Sequence, residues 1–278
     1  MTKEKSWLRN AWYSHLLVVG VLGLAACGCE NAKGALTKVG LADPATAPPE
    51  MIDVVCDPSV GSTCTVESLS ETLMVIFERA AAQPGSFVRL WMLGATVEST
   101  EVKAHVMSAP LTGKTARARA AEVARWQAQE RDMFVARVTS TLTAKRRPAS
   151  SPLAETITKV ALADGKGLHR KLVLISDGRE MGVADFECGP LPSDASWPAR
   201  LKQLGLLAPG SLAGIDVSFT YLAMPPIDRC AVSLKRELRI RELWKSALVA
   251  TGASEVRIYS GPVTWEERTA VQTTEAGK

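Results

Sequence analysis

The sequence predicts an α/β domain built on a doubly wound, mostly parallel sheet with helices on both faces. Three observations carry this expectation. From Met51 onward, short apolar runs alternate with longer segments of helical period, the pattern of strands joined by crossover helices. The run R-K-L-V-L-I-S, Arg170 to Ser176, is apolar without alternation at its centre, as strands buried on both faces are. Roughly 230 residues follow residue 50, a length that one α/β domain can fill, and a hydrophobic fraction of 46% supplies a large core.

The elements are expected in this order. Met51 to Cys56 is a short apolar strand. Glu67 to Ala82 repeats Leu69, Leu73, Ile76, Phe77 and Ala80 at helical spacing, and Pro84-Gly85 stops it. Ser86 to Leu93 is a strand and Val97 to Met107 a weaker one. Thr115 to Arg147 is a long basic helix with Val123, Trp126, Met133, Phe134, Val138 and Leu142 near one stripe and arginines opposite. Pro148 breaks it, and Pro152 opens a further helix to about Ala163. Arg170 to Ser176 follows as a strand, Trp197 to Leu206 as a short helix, and Ile215 to Leu222 as a strand. Ser233 to Thr251 is a helix carrying Leu234, Leu238, Ile240, Leu243, Trp244 and Leu248, and Glu255 to Tyr259 is the last strand. Trp91, Trp126 and Trp244 belong to the core on this pattern, whereas Trp197 and Trp265 sit in loop-like or terminal context and are candidates for a contact surface.

Residues 1–26 have the layout of a secretory signal peptide. Lys3, Lys5 and Arg9 precede the apolar run Leu16 to Ala26, whose 11 residues are too few to cross a bilayer. The tetrapeptide Leu24-Ala25-Ala26-Cys27 resembles the bacterial lipobox, which implies that Cys27 carries diacylglycerol, with a further acyl chain such as palmitate, and becomes the new N-terminus. Several chains are needed for stable attachment, because one holds a protein only marginally. Gly28 lacks the acidic side chain of inner-membrane retention, so an outer-membrane location facing the periplasm is expected. Residues 27–50 contain small residues and prolines without apolar period and are expected to form a tether. The domain is expected over residues 51–261, and residues 262–278 form a polar tail expected to be disordered.

A net charge of +4, dispersed along the chain, gives no electrostatic footprint for nucleic acid. The expected partners are the membrane, through lipidated Cys27, and an envelope protein. In doubly wound sheets the working surface lies beyond the carboxyl ends of the strands, near the switch point. Three loops are expected there: Asp57-Pro58-Ser59-Val60-Gly61-Ser62 after the first strand, Ser150-Ser151-Pro152-Leu153 before a helix, and Ser176-Asp177-Gly178 after the strongest strand.

With these three loops, residues 51–261 resemble the von Willebrand factor A domain, whose metal-ion-dependent adhesion site uses an Asp-x-Ser-x-Ser loop, a later threonine and an aspartate before glycine. The resemblance implies that Asp57 and Ser59 hold the first two positions, Ser151 the threonine position and Asp177 the last. Gly61 stands where the second serine is expected, and Ser62, one residue late, serves only if the loop shifts. Two carboxylates and two hydroxyls suit a hard divalent cation, Mg²⁺ or else Mn²⁺ or Ca²⁺. A metal there would take a carboxylate from a protein partner. The structural alternative is that Asp57 and Asp177 cap loops and helix ends without a metal.

An exported chain meets an oxidising compartment, where disulfides persist. Cys56, Cys64, Cys188 and Cys230 allow three pairings; Cys56 with Cys64 and Cys188 with Cys230 are favoured, over a tetrathiolate zinc site whose C-x-x-C knuckles are missing. Cys29 forms a second link or none. Catalysis is not expected: His105 and His169 lack a matching nucleophile motif, and no phosphate-cradling loop is present. The sequence therefore points to a lipid-anchored binding module, with a metal-free envelope, secretion or conjugation scaffold as the alternative and a Mg-dependent phosphatase-type hydrolase as a distant third.

Overall fold

The computed structural model describes residues 49–59, 61–81, 83, 85–99, 101–106, 115–142, 151–165, 168–186, 188–220 and 233–263. The chain divides into two units, Met1–Thr46 and Ala47–Lys278, and the described residues fall in the second. The expected signal peptide, Cys27, Cys29, Cys230, Trp265 and the expected polar tail from residue 264 onward lie outside them.

The order of elements is β1 (Glu50–Cys56), α1 (Val66–Ala81), β2 (Phe87–Met92), a 3₁₀ turn (Val97–Ser99), β3 (Glu101–Val106), α2 (Ala116–Leu142), α3 (Leu153–Leu162), β4 (His169–Ile175), α4 (Ser196–Gln203), β5 (Ile215–Thr220), α5 (Leu234–Ala250) and β6 (Glu255–Ile258). The sheet runs β3-β2-β1-β4-β5-β6. Five strands are parallel, and β3 alone pairs antiparallel, along β2. The connections reverse direction beside β1, so the switch point lies between β1 and β4. The expected weak strand at Val97 is shorter than the sequence suggested: Val97 to Ser99 coil into the 3₁₀ turn and only Glu101 to Val106 pair.

Alternation along the strands creates two cores. On one face Val55, Trp91, Leu172, Leu174, Val217 and Phe219 pack with apolar residues of α3, α4 and α5. On the other, Ile52, Val54, Val88, Leu90, Val173 and Ile175 meet α1 and Phe134 of α2. Helix α1 starts on a reciprocal cap in which the Ser68 amide donates to Thr65 Oγ1 at 3.2 Å and the Thr65 amide to Ser68 Oγ at 2.9 Å. Its Phe77 ring lies 5.6 Å from both Trp126 and Phe134 of α2, so the basic helix is held by two aromatics. Met133, expected on the same stripe, is 43% exposed. Among the described residues no helix is long and apolar enough to cross a membrane.

One expectation is overturned. Trp197, read as a surface aromatic, is fully buried. It begins α4 and packs 4.8 Å from Phe186 and 5.9 Å edge-on to Trp244. The short helix has only Trp197 and Leu201 facing inward, too few for a period to show in sequence. Leu234 and Leu238, assigned to the apolar stripe of α5, are 70% and 52% exposed; the buried stripe begins at Ile240.

A buried charge cluster ties the strands together. Asp53 is 1% exposed and accepts from Arg89 Nε at 2.6 Å and Nη2 at 2.9 Å, Trp91 Nε1 at 2.9 Å and Arg170 Nη2 at 3.1 Å. Arg170 also donates to the carbonyls of Val160 and Ala161 in the last turn of α3, where a cation meets the negative end of the helix dipole.

Candidate functional site

The loops of the switch point are built from the ends of β1 and β4. The Asp57 amide continues the ladder by donating to the Ile175 carbonyl at 3.0 Å, which places the Asp57 side chain at the carboxyl end of the sheet. Asp57 is fully buried. Its Oδ1 accepts from the Ser59 amide at 3.0 Å and the Ser151 hydroxyl at 3.0 Å, and its Oδ2 accepts from the Ser176 hydroxyl at 2.9 Å. Ser151 Oγ also lies 2.9 Å from Ser59 Oγ. A hydroxyl has one proton, and the carboxylate is the stronger acceptor, so Ser151 donates to Asp57. Burial pushes the Asp57 carboxyl up from its ordinary range, opposed by the Ser59 amide and the hydroxyls of Ser59, Ser176 and Ser151.

Three of the four residues singled out from the sequence, Asp57, Ser59 and Ser151, therefore touch. Asp177 is one residue beyond Ser176 but bonds elsewhere. Its Oδ1 accepts from the Arg179 amide at 3.0 Å, and its Oδ2 lies 3.2 Å from Arg179 Nε. Arg179 is itself buried. Ser62 turns its hydroxyl to the Cys64 amide at 3.3 Å, a local turn within the loop. Cys56 and Cys64 are joined as a disulfide with Cα atoms 5.7 Å apart, which clips the Asp57 loop to the start of α1 and removes two thiols from any zinc site. Cys188 is disulfide-bonded as well, to a cysteine outside the described residues.

Arg179, Glu180 and Ser176 were not among the residues singled out from the sequence. Glu180 is fully buried: its Oε2 accepts from the Ala154 amide at 2.7 Å, and its Oε1 from the amides of Gly182 at 2.6 Å and Val183 at 3.2 Å. It thereby caps the start of α3, whose own Pro152 offers no side-chain cap. Desolvation raises its carboxyl to about 7 against the pull of those amides. From the other side of the loop, Trp244 Nε1 donates to the Gly178 carbonyl at 2.7 Å. The first turn of α3, through the Ala154 amide, and α5, through the Trp244 indole, thus both hold the turn that carries Asp177. A run of Asp-Gly-Arg-Glu after a strand was the available signal, but only the fold shows where Glu180 reaches.

The fit of a divalent cation can be judged from these donors. Mg²⁺ needs near-octahedral oxygens and keeps several waters. Each oxygen of Asp57 and Asp177 already faces a protein donor or cation. Gly61 supplies no hydroxyl, and its φ of +80° is a conformation that strains a serine. A β-carbon built on Gly61 would lie 3.6 Å from Arg179 Nη1, an ordinary contact distance, so the guanidinium borders the position of the missing ligand. The residues as arranged do not fit a bound divalent metal. No known family model and no curated protein matches the chain.

Proposed function

We propose that the chain is a lipid-anchored module of a bacterial cell envelope that docks a protein partner on the loop face of a von Willebrand factor A-like domain. One observation carries the reading: Asp57, Ser59, Ser151 and Ser176 gather in a buried cluster at the β1/β4 switch point, the place where such sheets bind. The five parallel strands and the helices on both faces are compatible with that family. Cys27, following Leu24-Ala25-Ala26, supplies the membrane attachment, and residues 28–50 the tether.

The form of this reading in which a metal bridges to the partner is disfavoured by Gly61 and by the charge contact of Arg179 with Asp177. These residues favour a metal-free docking face, shared with the scaffold alternative, in which the disulfide-clipped loop and the pinned Asp177 turn offer a preformed surface. Neither form asks the cluster to do chemistry: Asp57, the strand-end carboxylate, is covered by hydroxyls and an amide.

The test is site-specific photo-crosslinking in the native envelope, with the probe at exposed Glu67 beside the loop face or at exposed Ser254 at the opposite end of the sheet. A discrete adduct from Glu67 that is absent from Ser254 is expected. Equal adducts from both positions, or none from Glu67, would remove the loop face as the docking surface.

A further inference from the structure

The strongest mismatch between the expected site and the observed one is a basic side chain among acidic loops. We infer that the Arg179 guanidinium is the resident cation of this site, taking the electrostatic place of a divalent metal. The inference stands on geometry alone and does not depend on the docking reading.

Four observations converge. Arg179 lies two residues after Asp177, and its guanidinium stands beside that carboxylate with Nε 3.2 Å from Oδ2 as an ion pair, while its backbone amide closes a local turn on Oδ1 at 3.0 Å. Its Nη1 reaches Gly61 of the β1 loop, 3.6 Å from where a β-carbon would sit. One side chain therefore spans the two loops that a bound metal would bridge. It does so while buried, 7% exposed, against a carboxylate that is 2% exposed. A buried carboxylate requires a compensating charge, and here the chain supplies one covalently.

The absence of a side chain at residue 61 is part of the same arrangement. A serine there would strain a backbone at φ +80°. Arginine suits the role because its charge is permanent. Metal occupancy, by contrast, varies with ion concentration. The consequence is a loop face whose shape does not depend on divalent ions.

The full-length chain in detergent is titrated with MnCl₂ by calorimetry and melted with and without the ion, beside Arg179→Ala and the double variant Asp177→Ala, Arg179→Ala. Wild type is expected to show no saturable binding up to about 1 mM and no shift on chelation, since the guanidinium holds the position. Arg179→Ala leaves the buried Asp177 carboxylate without the guanidinium that stands beside it. It is expected to gain saturable Mn²⁺ binding and a melting temperature raised by about 5 °C in excess ion, and the double variant is expected to lose both. Saturable binding by wild type overturns the inference, and so does a folded Arg179→Ala that remains silent. Should Arg179→Ala fail to fold, Arg179→Lys, which keeps a cation, decides beside wild type. Silence from both supports the inference, and binding by either overturns it.

Discussion

Asp57 shows how one buried residue organises three segments of chain. Its two oxygens collect an amide and two hydroxyls from the β1 loop, the start of α3 and the end of β4. Replacing it with alanine strands Ser151 and Ser176 without their acceptor, and each buried orphan costs about 1–3 kcal/mol. Asp57→Ala is therefore expected to lower unfolding free energy by about 2–5 kcal/mol, whereas Ser151→Ala, which removes one donor of three, costs about 1 kcal/mol. Urea unfolding of the full chain measures both. Equal losses for the two variants would mean that Asp57 is not the hub. Asp57, Ser59 and Ser151 were legible in sequence because a strand end followed by small polar residues is a local signal. Arg179 was not, since its role depends on Gly61, which is 118 positions away and is brought beside it only by the pairing of β1 with β4.

At the scale of elements, the loops are held by links that periodicity does not reveal. Among the described residues, the strands buried on both faces and the helices with a full apolar stripe lie close to where hydrophobic spacing put them, whereas β3 begins later than expected and α4 shows no period. Glu180 reaching back to the first turn of α3, and Trp244 reaching from α5 to Gly178, are polar contacts across the chain and leave no repeat to read. Glu180 makes a pH prediction. Its folded carboxyl titrates near 7 against an ordinary 4.5, so between these values the folded state holds a proton that the unfolded chain has released. Stability then falls as pH rises through that window, by about 3 kcal/mol for this group, and is level above it; Asp57, also raised, acts in the same direction. Glu180→Gln is expected to flatten the slope of unfolding free energy between pH 5 and 7 relative to wild type. An unchanged slope in that variant would exclude Glu180 as the source. The disulfide makes a second prediction. Cys56 and Cys64 close a loop with a sequence separation of 8, and loop-closure entropy for that length corresponds to about 2–3 kcal/mol. The double variant Cys56→Ala, Cys64→Ala is expected to lose that much in chemical denaturation, and no loss would show that α1 and its reciprocal cap already fix the loop.

At the scale of the whole molecule, the polar cluster and the point at which the chain enters the sheet lie at opposite ends of β1. The carboxyl ends of the strands carry the polar cluster, and the chain enters the sheet at Glu50, the amino end of the central strand β1. In the proposed function, attachment through the Cys27 thiol would raise the effective concentration of partners in the same membrane. Cys27→Ser is expected to abolish incorporation of labelled palmitate in the native bacterium and to move the chain from the membrane pellet to the soluble fraction. The pattern of crosslinks from Glu67 should weaken without changing partner, since the face itself is intact. A Cys27→Ser chain that stays in the pellet and still takes up label would refute the anchor.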